Sequence, residues 1–252
     1  MKPVLYPLIF AIMVLLAWNT ATQVFHIPQY LLPAPQKIAQ SMLIDRDYFM
    51  KHGLITLLEA SFGFLLAVLL GFLLGTLFAV FQLMEKMVLP YVIASQAVPI
   101  VAVAPLFILW LGNSLASKVA MACLICFFPM VVNTTKGLRS IGSQYTALMR
   151  SYSATKWQMF WKLRFPSSLA YVIAGLRISA ALAMIGAIVA EYAGADQGLG
   201  YVIMQATYRL DSVRLFAGIF YAALGGWLIF STVLLIEFLF LKRFRTSTDA
   251  LN

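Results

Sequence analysis

The residues able to do chemistry in this chain are few, and most stand inside apolar runs. Cys123 and Cys126, in "MACLICFFPM", have the CxxC spacing of a redox pair or half a metal site. No second CxxC and no nearby histidine completes such a site, so the two thiols are expected to be small buried apolar residues. The only histidines are His26 and His52. Both fall in or beside one loop between apolar runs, so neither sits at membrane depth to activate a serine nucleophile. The clustered histidine and carboxylate ligands of a lipid-processing metalloenzyme are missing. No GxxxxGK[ST] phosphate-binding loop occurs. "GADQGLG" at 194–200 is glycine-rich but follows an apolar run, and is expected to be a turn.

An ion-driven transporter needs ionisable groups near the bilayer centre. Glu59 and Glu191 lie near the outer ends of their apolar runs, and Glu237 lies near an inner end, where it can snorkel. Arg177 is the deepest charge, two to three turns in. It is expected to face the bundle or to pair with a carbonyl or carboxylate. Glu191 is ruled out as that partner within one chain. The two are fourteen residues apart, roughly 21 Å along a helix.

The elements that must position these groups are membrane helices. The chain is 62% hydrophobic and 11% charged, whereas a soluble domain is about half apolar and a quarter charged. Six runs reach the roughly 20 residues that cross a bilayer, at about 3–22, 54–81, 88–111, 117–135, 169–193 and 215–241. Backbone groups in lipid must bond within their own segment, so each run is expected to be an α-helix. The first is read as a retained span, although "AWNTATQ" is a weak candidate for signal-peptide cleavage. Pro90, Pro99 and Pro105 kink the third. The fold class is therefore an all-α membrane protein with six transmembrane helices.

Lys and Arg set the orientation. With the N-terminus cytoplasmic, Lys2, Lys86, Lys136, Arg139, Arg150, Lys156, Lys162, Arg164, Lys242, Arg243 and Arg245 lie inside. Lys37, Arg46, Lys51, Lys118, Arg209 and Arg214 lie outside. Both termini are then cytoplasmic. The chain divides into a first span with an outer loop (1–53), a five-helix core (54–245) and a tail (246–252). The outer loop is expected to hold an interfacial helix from about Pro35 to Phe49, since proline suits a first helical turn. The core contains the largest cytoplasmic loop, 136–168. The net charge of +9 reports topology and contact with anionic membrane lipid; no nucleic-acid partner is expected.

Inside that loop, "RSYSATKWQMFWKLRFPSSL" (150–169) carries Arg150, Lys156, Lys162 and Arg164, no acid, two tryptophans and Pro166. Read as one helix over 150–162, it puts Ser153, Trp157, Phe160 and Trp161 on one face about 100° wide. Such a helix either lies on the inner leaflet or inserts its aromatic face into a groove of a partner protein.

The segment resembles the cytoplasmic loop of permease subunits of bacterial ABC importers, whose pattern is EAA–x3–G–x9–I–x–L–P. Setting the closing Leu-Pro on Phe165-Pro166 places the Ile at Leu163, the Gly at Ser153 and the EAA at Ala147, Leu148 and Met149. The Glu and the Gly are replaced, while spacing and proline remain. "AYVIAGLRISAALAMIGAIVAEYAGADQGLGYVI", "AVAPLFILWLG", "FFPMVVNTTKGL" and "IPQYLLPAP" are similar to the same family, in its nitrate, sulfonate, taurine and thiamine-precursor branch.

The resemblance implies a type I importer bundle in the bacterial inner membrane. It implies no cofactor in this chain, because ATP and Mg belong to a partner ATPase. Further partners are a periplasmic or lipid-anchored substrate-binding protein and a second permease copy, as a homodimer. Ser153, Ala154, Lys156, Trp157, Phe160, Trp161 and Pro166 would couple to the ATPase. Gln96, Pro99, Asn133, Arg177 and Glu191 are expected to line or gate the route. The substrate class is a small metabolite of that branch, with a thiamine pyrimidine precursor preferred. An ion-coupled secondary transporter is the alternative.

Overall fold

The computed structural model describes residues 2–248, and among them all regular structure is helical, with no strand. Helix α1 covers Lys2–Val24 and α2 Pro35–Ile44. Helix α3 covers Arg46–Val80, α4 Gln82–Ser95, α5 Ile100–Leu111 and α6 Leu115–Arg139. Three short pieces follow: α7 Ser143–Ser151, α8 Lys156–Met159 and a π-helical turn Phe160–Arg164. Helices α9 Phe165–Gly194, α10 Leu199–Tyr208 and α11 Ser212–Thr248 complete the chain. Of the tail at 246–252, residues 246–248 continue α11 and the rest lie outside the described residues.

The core is α6 between α3 and α9, and small residues set its register. Gly63, Gly71 and Gly75 of α3 meet Ala122, Met130 and Thr134 of α6. The numbers rise together on both helices, so α3 and α6 run parallel. A Cβ at Gly71 would stand 2.7 Å from the Met130 Cβ, so the approach requires glycine. Against α9 the order reverses. Gly186 meets Ala122, Gly175 meets Asn133 and Gly137 meets Tyr171, which makes that pair antiparallel. Close approach of backbones across small residues is the main source of helix attraction in lipid, where leucine gains nothing by burial. Large leucines accordingly point outward, Leu65, Leu69 and Leu73 of α3 among them.

This register settles how the third apolar run crosses. Parallel α3 and α6 both run the same way, so the chain between Val80 and Leu115 must return across the full bundle. It does so as α4 and α5, bent by 101° at a break over Gln96–Pro99. The proline kink expected from the sequence is thus a broken helix. Pro99 has no N–H to continue the ladder, and the amides of Gln96, Ala97 and Val98 fall back on carbonyls three residues earlier. The pair also lies on the flank of the bundle instead of inside it. Helix α4 buries no residue and α5 buries only Ala104.

The interfacial helix expected over 35–49 is α2, opened by Pro35, and it ends at Ile44. Arg46–Phe49 instead begins α3, which runs through position 54. Cys123 and Cys126 are free and buried. The Cys126 thiol donates to the Ser179 carbonyl (3.2 Å) and the Ser179 hydroxyl donates to the Cys126 carbonyl (2.7 Å), tying α6 to α9.

Candidate functional site

Within the segment 143–166, residues 150–162 are not the single helix that their aromatic face suggested. Helix α7 stops at Ser151, and Ser153 takes a left-handed backbone (φ 54°). The Ala154 amide then donates to the Met149 carbonyl (3.0 Å) and the Ser153 amide to the Arg150 carbonyl (2.9 Å). These two bonds form a Schellman cap with Ser153 in the position that glycine normally holds. Two residues on, Thr155 starts α8 through a capping box. Its hydroxyl accepts from the Gln158 amide, and the Gln158 side chain accepts from the Thr155 amide. Tyr152–Thr155 is therefore a tight corner closed by hydrogen bonds on both sides. Periodicity ignores these caps, which is why 150–162 reads as continuous helix.

Beyond the corner, Pro166 shapes the chain. Proline lacks an N–H, and its ring displaces the carbonyl four residues earlier, here that of Lys162. The Phe165 amide skips back five residues to Phe160, giving the π turn. The turn stacks a ladder of rings. Trp157 meets Trp161 at 5.5 Å, Trp161 meets Phe165 at 5.3 Å, and Phe165 meets Phe72 of α3 at 6.1 Å. Phe160 packs on Trp161 at 5.3 Å. One end of the ladder is anchored in the bundle. The other is open, with Trp157 71% and Tyr152 78% exposed. Ser153, Lys156 and Pro166 are exposed and Ala154 is half-buried. The corner holds no catalytic constellation. It is a stiff projection with an apolar, basic tip, suited to transmitting a push.

The α4–α5 break opens onto two cavities that share Gln96. One, of about 530 Å³, is lined by Ser95 through Ile100 with Phe128, Pro129 and Leu182. Among its lining residues none is charged. The other, of about 640 Å³, lies toward Arg139 and is lined also by Glu85, Lys136 and Tyr171. Arg139 is ion-paired with Glu85 and donates to the Phe78 carbonyl (2.8 Å), bracing α6 against α3 and α4.

Gln96 and Pro99 thus come together, and the other three candidates for the route stand apart from them. Asn133 sits between α6 and α9 and donates to the Pro129 carbonyl (2.8 Å). Arg177 forms a two-pronged pair with Glu237 of α11, at 2.8 and 2.6 Å. Of the carbonyl or carboxylate partners left open, the structure supplies the Glu237 carboxylate. Glu191 is fully buried at the opposite end of the bundle from the 143–166 corner. Its carboxylate accepts from the Thr56 hydroxyl (2.7 Å) and the Gly200 amide (2.6 Å). The Leu199 amide donates to Thr56 and the Gly198 amide to His52 Nδ1. Three successive amides at the start of α10 are capped by side chains from α3 and α9. His52 and Thr56 escaped the sequence reading, because their partners are more than 140 residues away and no local pattern marks them.

A family model for the inner membrane component of binding-protein-dependent transport systems matches residues 63–246. The chain is 39% identical over 234 residues to the formylaminopyrimidine transport permease protein ThiX of Halalkalibacterium halodurans, covering 92% of this chain and 93% of that one. It is 31% identical over 245 residues to the putative aliphatic sulfonates transport permease protein SsuC of Bacillus subtilis, covering 96% and 87%. It is 29% identical over 177 residues to the nitrate import permease protein NrtB of Synechococcus elongatus, covering 69% and 63%.

Proposed function

Because the chain belongs to the family of binding-protein-dependent transport system inner membrane components, we propose that it carries an aminopyrimidine-type metabolite inward through the gap at Gln96–Pro99. The chain is the permease subunit of an ABC importer, a multi-pass protein of the bacterial inner membrane, and not itself an enzyme. The ion-coupled alternative falls away with that membership. Its partners are an ATPase and a substrate-binding protein. We assign ATP and Mg to the ATPase, and we take the permease to act as a homodimer with both termini cytoplasmic and α4–α5 turned toward the second copy.

The observation that carries the substrate class is the uncharged lining of the cavity beside Gln96. Nitrate or a sulfonate would want a cation there, and Arg177 is engaged with Glu237. A flat, neutral heteroaromatic ring fits an apolar wall with one amide to bond it. The relative named for formylaminopyrimidine transport supports the same class. In proteoliposomes holding permease, ATPase and binding protein, labelled formylaminopyrimidine is expected to accumulate only with ATP. Excess nitrate or alkanesulfonate should not compete. Uptake of a sulfonate in its place, or uptake without the ATPase, would overturn the reading.

The division of the chain at 1–53, 54–245 and 246–252 goes with this topology, as do supporting roles along the route for Asn133, Arg177 and Glu191. Single cysteines at the exposed positions Ser140, Gln197 and Gln96, in a background lacking Cys123 and Cys126, test both. Position 140 should label only from the cytoplasm and 197 only from outside. Position 96 should react with a small polar reagent to an extent that changes between the resting and ATP-bound importer. Labelling of 140 and 197 from one side, or inertness at 96 in every state, contradicts the assignment.

A further inference from the structure

The cavity of about 640 Å³ beside Arg139 is walled by one face of α4 and one face of α6. Glu85, Leu89 and Ile93 recur every four residues on α4, and Val132, Lys136 and Arg139 recur at three or four on α6. Charge is confined to one end. Glu85 lies in the first turn of α4 and Lys136 and Arg139 in the last turn of α6, at the end of the bundle that carries the 143–166 corner. One turn deeper the walls are Leu89 and Val132, and Ile93 lies a turn beyond Leu89. The volume is that of a small-ligand site, about 300–1,000 Å³.

The charges at the mouth do not balance. Arg139 is ion-paired with Glu85, so the one acid of the lining is already neutralised. Lys136 is exposed and forms no ion pair among the described residues. Tyr171 of α9 brings a hydroxyl to the same wall. Arg164 stands about one turn before Ser168, which lies against Gly137 of α6, and it adds a further cation at this end. The mouth is therefore cationic and rich in donors, while the interior is apolar. A bare inorganic anion would leave the apolar strip unfilled, and a neutral amphiphile would leave Lys136 unpaired.

We propose that this cavity binds a phosphate ester with an apolar body. Lys136 holds the phosphate, with Arg139 and the Tyr171 hydroxyl as further donors, and the body lies along Leu89, Ile93 and Val132. Two sources present that chemistry. One is an anionic phospholipid, whose headgroup phosphate lies at the depth where basic residues gather and whose acyl chain begins in the strip. The other is a soluble aryl or alkyl phosphate. Either would wedge between α4 and α6, and neither depends on the substrate assigned above.

The test follows the permease's own unfolding midpoint within the permease–ATPase complex, held in phosphatidylcholine nanodiscs. One arm adds phosphatidylglycerol to the disc, and the other adds phenyl phosphate to the solution. A ligand that binds only the folded state raises the midpoint as its concentration rises. At least one arm should raise the wild-type midpoint, and that arm identifies the source. Lys136→Gln should need about fivefold or more of the same ligand for the same rise, the factor that one cation contributes near a membrane surface. Lys162→Gln removes a positive charge from the same end without touching the cavity lining, and it should titrate like the wild type. Ile93→Trp keeps every charge and fills the apolar strip from a helix that buries no residue, so the rise should vanish. It also decides the matter should Lys136→Gln not assemble. The proposal is overturned by no rise in either arm, by Lys136→Gln titrating like the wild type, by equal losses in Lys136→Gln and Lys162→Gln, or by a full rise in Ile93→Trp.

Discussion

Gly198→Val is expected to leave little folded permease in the membrane. Gly198 has φ 99° and ψ 169°, a backbone region essentially restricted to glycine, which costs another residue about 1–3 kcal/mol. A β-branched side chain is the worst fit there. Its Cβ would also overlap the Glu191 carboxyl. Glu191 is fully buried and cannot move without releasing the Thr56 hydroxyl and the Gly200 amide. Each buried donor left without a partner costs about 1–3 kcal/mol more. Together these approach the whole stability of an ordinary domain, about 5–15 kcal/mol. The control is Gly53→Ala on α3, where the nearest atom to a new Cβ is Leu199 Cδ1 at 3.8 Å. That contact is ordinary, and alanine favours a helix interior by about 0.5–1 kcal/mol. Size-exclusion profiles of the tagged proteins should show the valine variant reduced about tenfold or more and the alanine variant unchanged. A valine variant with wild-type yield and midpoint would mean that α10 is not pinned through Glu191.

How far the sequence reaches depends on the range of each interaction. The apolar runs are local, so six crossings are legible without coordinates. The depth of Arg177 follows from counting residues along α9, and that count excluded Glu191 as its partner without naming Glu237. The corner at Ser153 is local too, yet hydrophobic periodicity overlooks it. Its cause is backbone bonding, and a serine gives less warning of a left-handed turn than a glycine does. The alignment that set Ser153 on the family's glycine was the one sign of it. The bend at Gln96–Pro99 was half visible: Pro99 announces a disturbance, but whether a helix kinks or breaks depends on what packs beside it, and α4 has little. The link from His52 and Thr56 to Glu191 and Gly198 joins distant segments and could not be read at all.

Ser153→Trp is expected to uncouple the permease from its ATPase without disturbing the membrane bundle. The corner at 152–155 is stiff because both flanking helix ends are capped, and the ring ladder from Trp157 to Phe72 ties it to α3. We propose that the projection 150–164 seats in a cleft of the ATPase, with Ser153 and Ala154 at the closest approach and Trp157 beside them. Lys156, Phe160, Trp161 and Pro166 hold its shape or rim the contact. A rigid-body closure of the ATPase pair would then move α3 and α9 through this joint. Tryptophan is bulky and costs more than serine in the left-handed backbone at 153, so only a loss of ATPase at an unchanged unfolding midpoint is read as an effect of size. Overpacking a well-fitted contact costs about 1–3 kcal/mol, which is about five- to 150-fold in affinity. Ser153→Gly is the opposite probe, because it relieves the φ 54° strain and keeps the contact small.

The measurement that decides is the amount of ATPase retained per permease after detergent purification, taken for wild type, Ser153→Gly and Ser153→Trp alongside each permease's own unfolding midpoint. Docking through this corner predicts equal midpoints, full retention for glycine, and retention down about tenfold or more for tryptophan. If the tryptophan variant keeps its ATPase and imports at the wild-type rate, the aromatic corner rests on lipid instead and the coupling role is wrong.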